Sequence, residues 1–249
     1  MRVLVLSDIH ANLSALRAVL EDASKGGDTG HAYAAVWCLG DLVGYGPDPN
    51  ECIAEVRQLP GLICLIGNHD HAALGLTPLT RFNHDARAAA TWTQQALNKD
   101  SVEFLRSLRK EAAYDGFTLA HGSPRQPVWE YILDPRTADA NFDAFSTDYC
   151  LVGHTHLPVI FQRSAEDAYS LSRPTLPGQP IRLEPRMIIN PGSVGQPRDM
   201  DPRAAYAMLD LDAMTWEARR TQYEVSEVQL RMLRAGLPER QALRLVAGW

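Results

Sequence analysis

Residues 3–13 read VLVLSDIHANL, an apolar run that ends directly in an aspartate and a histidine. The first four letters form a continuous apolar stretch, which is typical of a short strand covered on both faces. Asn12 or Ser14 is placed to cap a helix whose leucines then recur at helical spacing. A strand that passes into a helix in this way predicts an α/β fold, with Asp8 and His10 at the carboxyl end of the strand.

Four later apolar runs end in the same way. Strands are predicted over 34–39, 62–66, 116–120 and 149–152. They are followed by Gly40-Asp41, Gly67-Asn68-His69-Asp70, His121-Gly122 and Gly153-His154-Thr155-His156. Functional groups of open α/β sheets collect at the carboxyl ends of strands. One such aspartate is usually a turn residue, but five strand ends that all carry oxygen or imidazole ligands favour a metal site.

The ligand types limit which metals the site would take. Carboxylate, amide and imidazole donors without a thiolate suit divalent Mn, Fe, Co, Ni, Zn or Mg. The four cysteines include no CxxC or CxxxC pair, and three of them lie in or beside apolar runs. We therefore expect reduced, buried thiols rather than a thiolate metal site.

The second half of the chain is richer in strands than the first. From about residue 157, strand candidates occur at 159–162, 181–183, 187–189, 204–211 and 215–222. Residues 163–180 are polar and rich in proline, which predicts either a mobile connection or a long hairpin tip. Residues 225–249 predict two helices with a break at 236–238, and covering a sheet face is their expected use.

These patterns together predict one domain over residues 1–249. A β/α first half and a strand-rich second half fit two mixed sheets packed face to face with helices outside. The predicted fold is thus an α/β, four-layer α-β-β-α sandwich, with the metal site at the carboxyl ends of strands.

Composition excludes several other classes of protein. The 249 residues are 45% hydrophobic and carry a net charge of −6, which disfavours a general nucleic-acid-binding surface. No apolar run approaches the roughly 18 residues that span a bilayer, and no leader pattern precedes the first strand. We expect a cytoplasmic protein without a membrane partner, and we assign no oligomeric state.

The five polar blocks, in order, resemble the signature of the calcineurin-like metallophosphoesterases. The resemblance runs from about residue 1 to 200 and includes Asn190-Pro191-Gly192-Ser193-Val194. Each block alone is weak, whereas the set of five is specific. Asp8-Ile9-His10-Ala11-Asn12-Leu13 and His121-Gly122-Ser123-Pro124 are similar to the small prokaryotic phosphodiesterase branch.

The resemblance implies two divalent metal ions, with manganese the foremost expectation. One ion would be held by Asp8, His10, Asp41 and His156, and the other by Asp41, Asn68, His121 and His154. Asp41 would bridge ions about 3.5–4 Å apart, and a hydroxide that they share would attack phosphorus in line. His69 would protonate, or hydrogen-bond to, the leaving oxygen. Asp70 would either orient His69 or start a helix.

Two departures from the protein phosphatases of this family narrow the substrate. Those phosphatases carry GDxxDRG, whereas this chain has Gly44 and Tyr45 in place of the second acid and the arginine. We therefore expect a phosphodiester or small nucleotide-type substrate. A phosphomonoesterase or protein phosphatase, or a non-catalytic scaffold on the same fold, is the alternative.

Five residues beside the motif blocks are candidates for substrate contact. Tyr45, Trp129 and Tyr131 would stack on a nucleobase or pack against the loops. Arg125 and Arg198 would contact phosphate oxygens or form surface salt bridges. Asn190 to Ser193 is turn chemistry that we expect to support the pocket rather than to act in it.

Overall fold

The computed structural model describes residues 1–25, 32–163 and 169–249. Its strands are β1 (Arg2–Leu6), β2 (Ala35–Cys38), β3 (Ile63–Cys64), β4 (Glu111–Tyr114), β5 (Phe117–Ala120), β6 (Tyr149–Leu151), β7 (Val159–Gln162), β8 (Leu171–Pro174), β9 (Ile181–Arg182), β10 (Met187–Asn190), β11 (Ala204–Asp210) and β12 (Thr215–Thr221). Its α-helices are α1 (Leu13–Ser24), α2 (Pro49–Val56), α3 (Asn68–Ala73), α4 (His84–Ala96), α5 (Lys99–Ser107), α6 (Pro135–Phe142), α7 (Val225–Arg234) and α8 (Glu239–Ala247).

The strands form two mixed sheets. The first has the order β3-β2-β1-β11-β12-β9, and the second has the order β4-β5-β6-β10-β7-β8. Strands β1, β2 and β3 are parallel to one another, and so are β5, β6 and β10. The carboxyl ends of five of these parallel strands therefore carry the five polar blocks of the sequence.

Apolar residues arrange the chain in layers. Val5, Trp37, Phe117, Leu151 and Ile189 belong to a buried cluster to which both sheets contribute. The opposite face of the first sheet shares a cluster with α1, α2 and α5. The opposite face of the second sheet shares one with α6. The α/β sandwich of two packed mixed sheets is thus confirmed.

Local signals explain where the helices begin. The side chains of Asn12, Asn83 and Asn98 each accept a hydrogen bond from a backbone N–H in the first turn of α1, α4 and α5. Asp134 does the same for α6. Helices α2 and α6 also start with proline, whose missing N–H costs nothing in the first turn.

Helices α3 and α6 and strands β4 and β8 were not predicted, because none of them shows the expected apolar periodicity. Helices α3 and α6 are short and rich in polar residues, while strands β4 and β8 are largely exposed edge strands. Strand β8 pairs antiparallel with β7, so the hairpin alternative for 163–180 is the one found. Residues 164–168 of that connection lie outside the described residues.

The expected use of the C-terminal helices was wrong. Helices α7 and α8 do not cover a sheet face; their apolar residues share a buried cluster with α4, Tyr45 and Phe82. This puts the end of the chain beside the loops that carry the polar blocks. Across the described ranges, no helix combines the length and the apolarity needed to cross a bilayer. One domain over residues 1–249 and a cytoplasmic location stay predictions.

Candidate metal centre

The structure gathers six of the predicted ligands into two groups suited to a metal ion. Asp8, His10 and His156 form the first group, and Asp41, His121 and His154 form the second. Within each group, one donor atom from every residue lies within 4.8 Å of the others, and all six residues are buried. Residues from distant parts of the chain meet here because the parallel strands end at a common edge.

Asp41 links the two groups. Its Oδ2 lies 3.4 Å from His121 Nε2 and 3.7 Å from His10 Nε2. His10 Nε2 is also 3.7 Å from Asp8 Oδ1. One carboxylate oxygen of Asp41 thus faces donors of both groups, which is the position of a bridging ligand.

Asn68, the seventh predicted ligand, lies beside the second group, and the donors within each set are close together. The Oδ1 atom of Asn68 lies 3.1 Å from His121 Nε2, and His154 Nδ1 lies 3.2 Å from the same nitrogen. His156 Nε2 lies 3.2 Å from Asp8 Oδ1. Donors that share an ion at about 2.1 Å are separated by about 3.0–3.4 Å, so these spacings fit coordination.

Unpaired buried oxygens provide the strongest indication of a cation. Asp8 Oδ1 and Asp41 Oδ2 are fully buried and have no hydrogen-bond partner among the described residues. A buried carboxylate oxygen without a partner is costly, because it loses its water and gains nothing in return. Both oxygens point at imidazole nitrogens that are themselves metal donors. The donor set therefore fits a pair of divalent cations.

The other carboxylate oxygens are held by hydrogen bonds. Ser7 Oγ and the backbone N–H of His154 donate to Asp8 Oδ2 at 2.6 and 3.0 Å. The backbone N–H of His69 donates to Asp41 Oδ1 at 2.8 Å. Gly67 permits this arrangement, since a Cβ there would lie 2.0 Å from Asp41 Oδ1. Each aspartate thus has one oxygen that the protein holds and one that is free for a metal.

Backbone carbonyls fix the tautomers of three histidines. The Nδ1 atoms of His10, His121 and His156 lie 3.1, 2.9 and 2.6 Å from the carbonyl oxygens of Val43, Leu39 and Gln196. A protonated Nδ1 donates to each carbonyl, so Nε2 is the nitrogen that faces the centre. Such outer contacts are typical of metal-binding histidines.

The backbone itself is strained at the centre. Asp8, His10, Asp41, His154 and His156 all have φ between 49° and 66°, in the left-handed region. Non-glycine residues there cost free energy and cluster at functional sites. Five of the seven predicted metal ligands share this conformation, so the loops favour side-chain placement over local stability.

The charges of the centre are those of a cation site. Burial opposes ionisation of Asp41, but the charges of His121 and His69 outweigh it and hold its pKa well below the usual range. Burial likewise opposes the charge of His121, but the Asp41 and Asp8 carboxylates raise its pKa to about 9. Burial lowers the pKa of His154 to about 3. The carboxylates are thus anionic, and positive charge is attracted to them.

Comparison with known proteins identifies the family. The family model of the calcineurin-like phosphoesterase superfamily domain matches residues 1–214. The chain belongs to this superfamily. The resemblance seen in the sequence is thereby confirmed, and the chain belongs to a family of metal-dependent phosphoester hydrolases.

Three proteins are similar to this chain over nearly its whole length. A metallophosphoesterase from Sphaerobacter thermophilus is 42% identical and superposes with a TM-score of 0.89, covering 100% of this chain and 99% of that one. An uncharacterized protein from Methanocaldococcus jannaschii is 34% identical over 252 residues, 99% of this chain and 98% of that protein. A hypothetical protein from Pyrococcus horikoshii is 20% identical with a TM-score of 0.83 over 100% and 98% of the two chains, which shows a common fold.

In this superfamily member, His69 lies against the centre within a cluster of aromatic rings. Its ring centroid is 4.9 Å from that of His10, 4.4 Å from that of Tyr45 and 5.1 Å from that of Phe82. Burial lowers the pKa of His69 to about 4. Its Nδ1 has no hydrogen-bond partner in the described part of the chain. A Cβ on Gly44 would lie 2.6 Å from that Nδ1, so the His69 ring occupies the space that a side chain at position 44 would need.

The expectation that Asp70 orients His69 needs correction. The two carboxylate oxygens of Asp70 accept hydrogen bonds from the backbone N–H groups of Val43 and Gly67, at 3.1 and 2.9 Å. These bonds use the carboxylate to cap α3 and to tie two site loops together. The helix-start alternative is therefore the one found.

Three of the predicted candidates for substrate contact border the centre. Tyr45 is buried, with its ring centroid 4.8 Å from that of His10, and Arg198 Cζ lies 6.0 Å from the Tyr45 ring. The charge of Arg198 also acts on the pKa of His69 and His156. Tyr131 stacks on His154 at 3.7 Å, so this half-exposed ring forms another part of the rim.

Arg125 and Trp129 are engaged elsewhere. Arg125 Nη2 donates to Glu130 Oε1 at 2.8 Å, which is the salt-bridge alternative. The guanidinium of Arg81 lies 4.3 Å from the centroid of the Trp129 ring. The assignment of Arg125 to substrate binding is therefore corrected to a role in holding the 121–131 loop.

The Asn190-to-Val194 segment supports the centre, as expected. Asn190 Nδ2 donates to the carbonyl of Gly153 at 2.7 Å, and Ser193 Oγ donates to the carbonyl of Asp8 at 2.8 Å. Both bonds fix loops that carry predicted ligands. Sequence reasoning missed Gln196, Gln241 and Arg244, because none lies in a recognisable motif.

Proposed function

We propose that this chain is a dinuclear phosphodiesterase that acts on small, nucleotide-type phosphoesters. The observation that carries the proposal is Asp41 Oδ2, a buried, unpaired oxygen facing donors of both groups. Asp8, His10, Asp41 and His156 would hold one cation, and Asp41, Asn68, His121 and His154 the other. When bound, two such ions neutralise the phosphoryl oxygens and activate a water for attack. Manganese suits this oxygen and nitrogen donor set, although the set also accepts related ions.

His69 supplies the contact to the leaving oxygen in this proposal. Its Nδ1 faces Gly44 and finds no acceptor in the described residues, so Nε2 is the nitrogen that carries the proton. An Nε2–H group donates a hydrogen bond to the oxygen that develops negative charge as the ester bond breaks. The aromatic rings of Tyr45 and Phe82 hold the imidazole in place.

Tyr45 supports the preference for diesters. It stands where protein phosphatases of this family carry an arginine, and its ring packs on His10 and His69 instead of offering a cation. A monoester dianion has one more charge to neutralise than a diester. A site without that arginine favours the diester.

Paired chromogenic substrates test the proposal. The enzyme would be assayed with Mn²⁺, and after exhaustive chelation, on bis(p-nitrophenyl) phosphate and on p-nitrophenyl phosphate. We expect metal-dependent turnover that is faster on the diester. Undiminished activity after chelation would refute metal dependence, and a strong preference for the monoester would refute the substrate class. Repeating the assay with Zn²⁺, Ni²⁺, Co²⁺, Fe²⁺ and Mg²⁺ tests the choice of manganese.

A further inference from the structure

Helix α8 lies outside residues 1–214, which the family model matches, yet it contacts the loop around Gln196 behind the metal centre. The side-chain amide of Gln196 donates to Gln241 Oε1 at 3.0 Å, and both side chains are buried. The backbone carbonyl of the same Gln196 accepts from His156 Nδ1. The end of the chain is thereby fixed to a predicted metal ligand through one residue.

This contact brings two arginines together. Arg198 follows Gln196 by two residues, and its Nη2 donates to Gln196 Oε1 at 3.0 Å. Arg244 lies one turn after Gln241 on the same face of α8, and its Nη1 is 3.4 Å from Gln241 Oε1. Arg198 Cζ lies 6.0 Å from the Tyr45 ring, and Tyr45 shares a buried cluster with Ala242 and Leu245 of α8, so both arginines lie at the wall of the site.

Neither arginine is neutralised by a carboxylate side chain in the described ranges. Their hydrogen bonds go to glutamine oxygens and, for Arg244, to the backbone oxygen of Trp249. The Nε of Arg198 is buried without a partner in the same ranges. Burial, together with the charge of Arg198, lowers the pKa of Arg244 to about 10. In contrast, Arg231 is paired with Asp48 at 3.0 Å.

There is room for a ligand beside Arg244. Arg244 lines a cleft of about 300 Å³ with Arg240 and Trp249. Asp85 also lines this cleft, but its carboxylate contacts His84 Nδ1 at 3.1 Å. Two neighbouring, half-buried guanidinium groups without a carboxylate side chain beside them attract an anion, and guanidinium groups bind phosphate oxygens in a bidentate way.

We propose that Arg198 and Arg244 bind a second phosphate group, carried by the leaving group of the substrate. This rests on the proposed function, in which the metal centre takes the scissile phosphate. The pair lies on the leaving-group side because Arg198 approaches Tyr45, whose ring contacts His69. The substrate class is thereby narrowed to phosphoesters or phosphoanhydrides with a further phosphate beyond the bond that is cleaved.

Calorimetry on the Mn²⁺-loaded full chain tests this directly. Orthophosphate reaches only the metal centre, whereas tripolyphosphate extends to the arginine pair. We expect the wild-type chain to bind tripolyphosphate at least about tenfold more tightly than orthophosphate. Arg244→Gln and, independently, Arg198→Gln should remove most of that difference, and Arg244→Lys should restore part of it.

The control is Arg234→Gln, which removes the same charge from the exposed end of α7. It should leave the difference between the two ligands intact. An equal loss for both ligands in Arg244→Gln, no loss at all, or an equal effect in the control would overturn the proposal.

Calorimetry needs no turnover, so the two proposals fail separately. If bis(p-nitrophenyl) phosphate is not hydrolysed but tripolyphosphate loses affinity selectively in Arg244→Gln, the arginine site stands and the proposed chemistry falls. If the diester is hydrolysed but Arg244→Gln does not selectively weaken the binding of tripolyphosphate relative to orthophosphate, only the arginine site is refuted.

Discussion

The metal centre and the residues that border it, which we call the rim, are built in opposite ways. The centre uses buried side chains on loops that directly follow parallel strands. Most of these ligands have a left-handed backbone conformation, and most are also held by a hydrogen bond through an atom that does not face the metal site. The rim uses Tyr45, Tyr131, Arg198 and Arg244, which come from four separate segments. Neither arginine pairs with a carboxylate side chain in the described ranges.

This difference separates chemistry from selectivity. The centre must hold several donors within a few tenths of an ångström, which rigid strand ends and fixed tautomers achieve. The rim only has to present charge and apolar surface to part of the substrate. Changes in the centre should therefore remove activity altogether, while changes in the rim should alter which substrate is preferred.

The largest effect is expected for Asp41→Asn. Both cations lose a ligand, so metal content should fall below two ions per chain and turnover of the diester should fall at least about 10³-fold. Elemental analysis and steady-state kinetics measure the two quantities.

Asp115→Asn is the matched control for that variant. Asp115 also has a left-handed backbone, with φ of 47° against 54° for Asp41, but it is exposed in a turn. Two metals and full activity are expected. If Asp41→Asn retained both ions, Asp41 would not be the bridge.

His69→Ala should keep both metals and lose about 10²-fold in kcat on bis(p-nitrophenyl) phosphate. The loss should be larger for a diester with a poor leaving group, such as a methyl ester, because the missing hydrogen bond matters most there. Elemental analysis and kcat with both diesters check this. Equal losses for both leaving groups would mean that His69 acts only through packing.

Gly44→Ala should damage both stability and catalysis. The residue has φ of 90°, and a Cβ would lie 2.6 Å from His69 Nδ1. Strain and overpacking together should lower the free energy of unfolding by about 2–4 kcal/mol. Urea denaturation measures this.

Gly75→Ala separates the clash from the strain. Gly75 has φ of 70° but nothing within 4 Å of its would-be Cβ. Gly75→Ala should lower the free energy of unfolding by about 1 kcal/mol and leave kcat unchanged. Similar losses in the two variants would show that crowding against His69 contributes nothing.

The smallest effects are expected at the rim. Arg198→Gln should change KM for bis(p-nitrophenyl) phosphate by less than about twofold, but should raise KM roughly tenfold for a diester whose leaving group carries a second phosphate, through loss of a charged contact to that phosphate. Arg125→Gln should change KM by less than about twofold, since Arg125 is paired with Glu130 at a partly exposed position. Steady-state kinetics compare them, and a larger effect for Arg125 would reverse our assignment.

Much of the centre was predictable because its ligands follow apolar runs. The apolar run from Val3 to Leu6 predicts a strand, and Asp8 and His10 follow it directly. Their positions in the sequence therefore predict that they lie at the carboxyl end of that strand. The same holds for Asp41 and His121. The fold was predictable for the same reason, since buried strands of an α/β protein are continuous apolar runs.

The sequence indicated Tyr45, Tyr131 and Arg198 as candidates but not the contacts of the rim, because these contacts depend on tertiary packing. Arg125 and Arg198 look alike beside their motifs, and only the position of Glu130 separates them. Arg244 lies on an amphipathic helix that any sheet could bury, and the Gln196–Gln241 bond that places this helix behind the metal centre is a tertiary contact. Nor does the sequence show that Asp70 would serve two backbone N–H groups.

Anomalous diffraction from crystals grown with Mn²⁺ tests the central claim most directly. We predict two manganese peaks about 3.5–4 Å apart, with Asp41 in contact with both, His10 and His156 on one and His121 and Asn68 on the other. A single peak, or two peaks that Asp41 does not join, would contradict it.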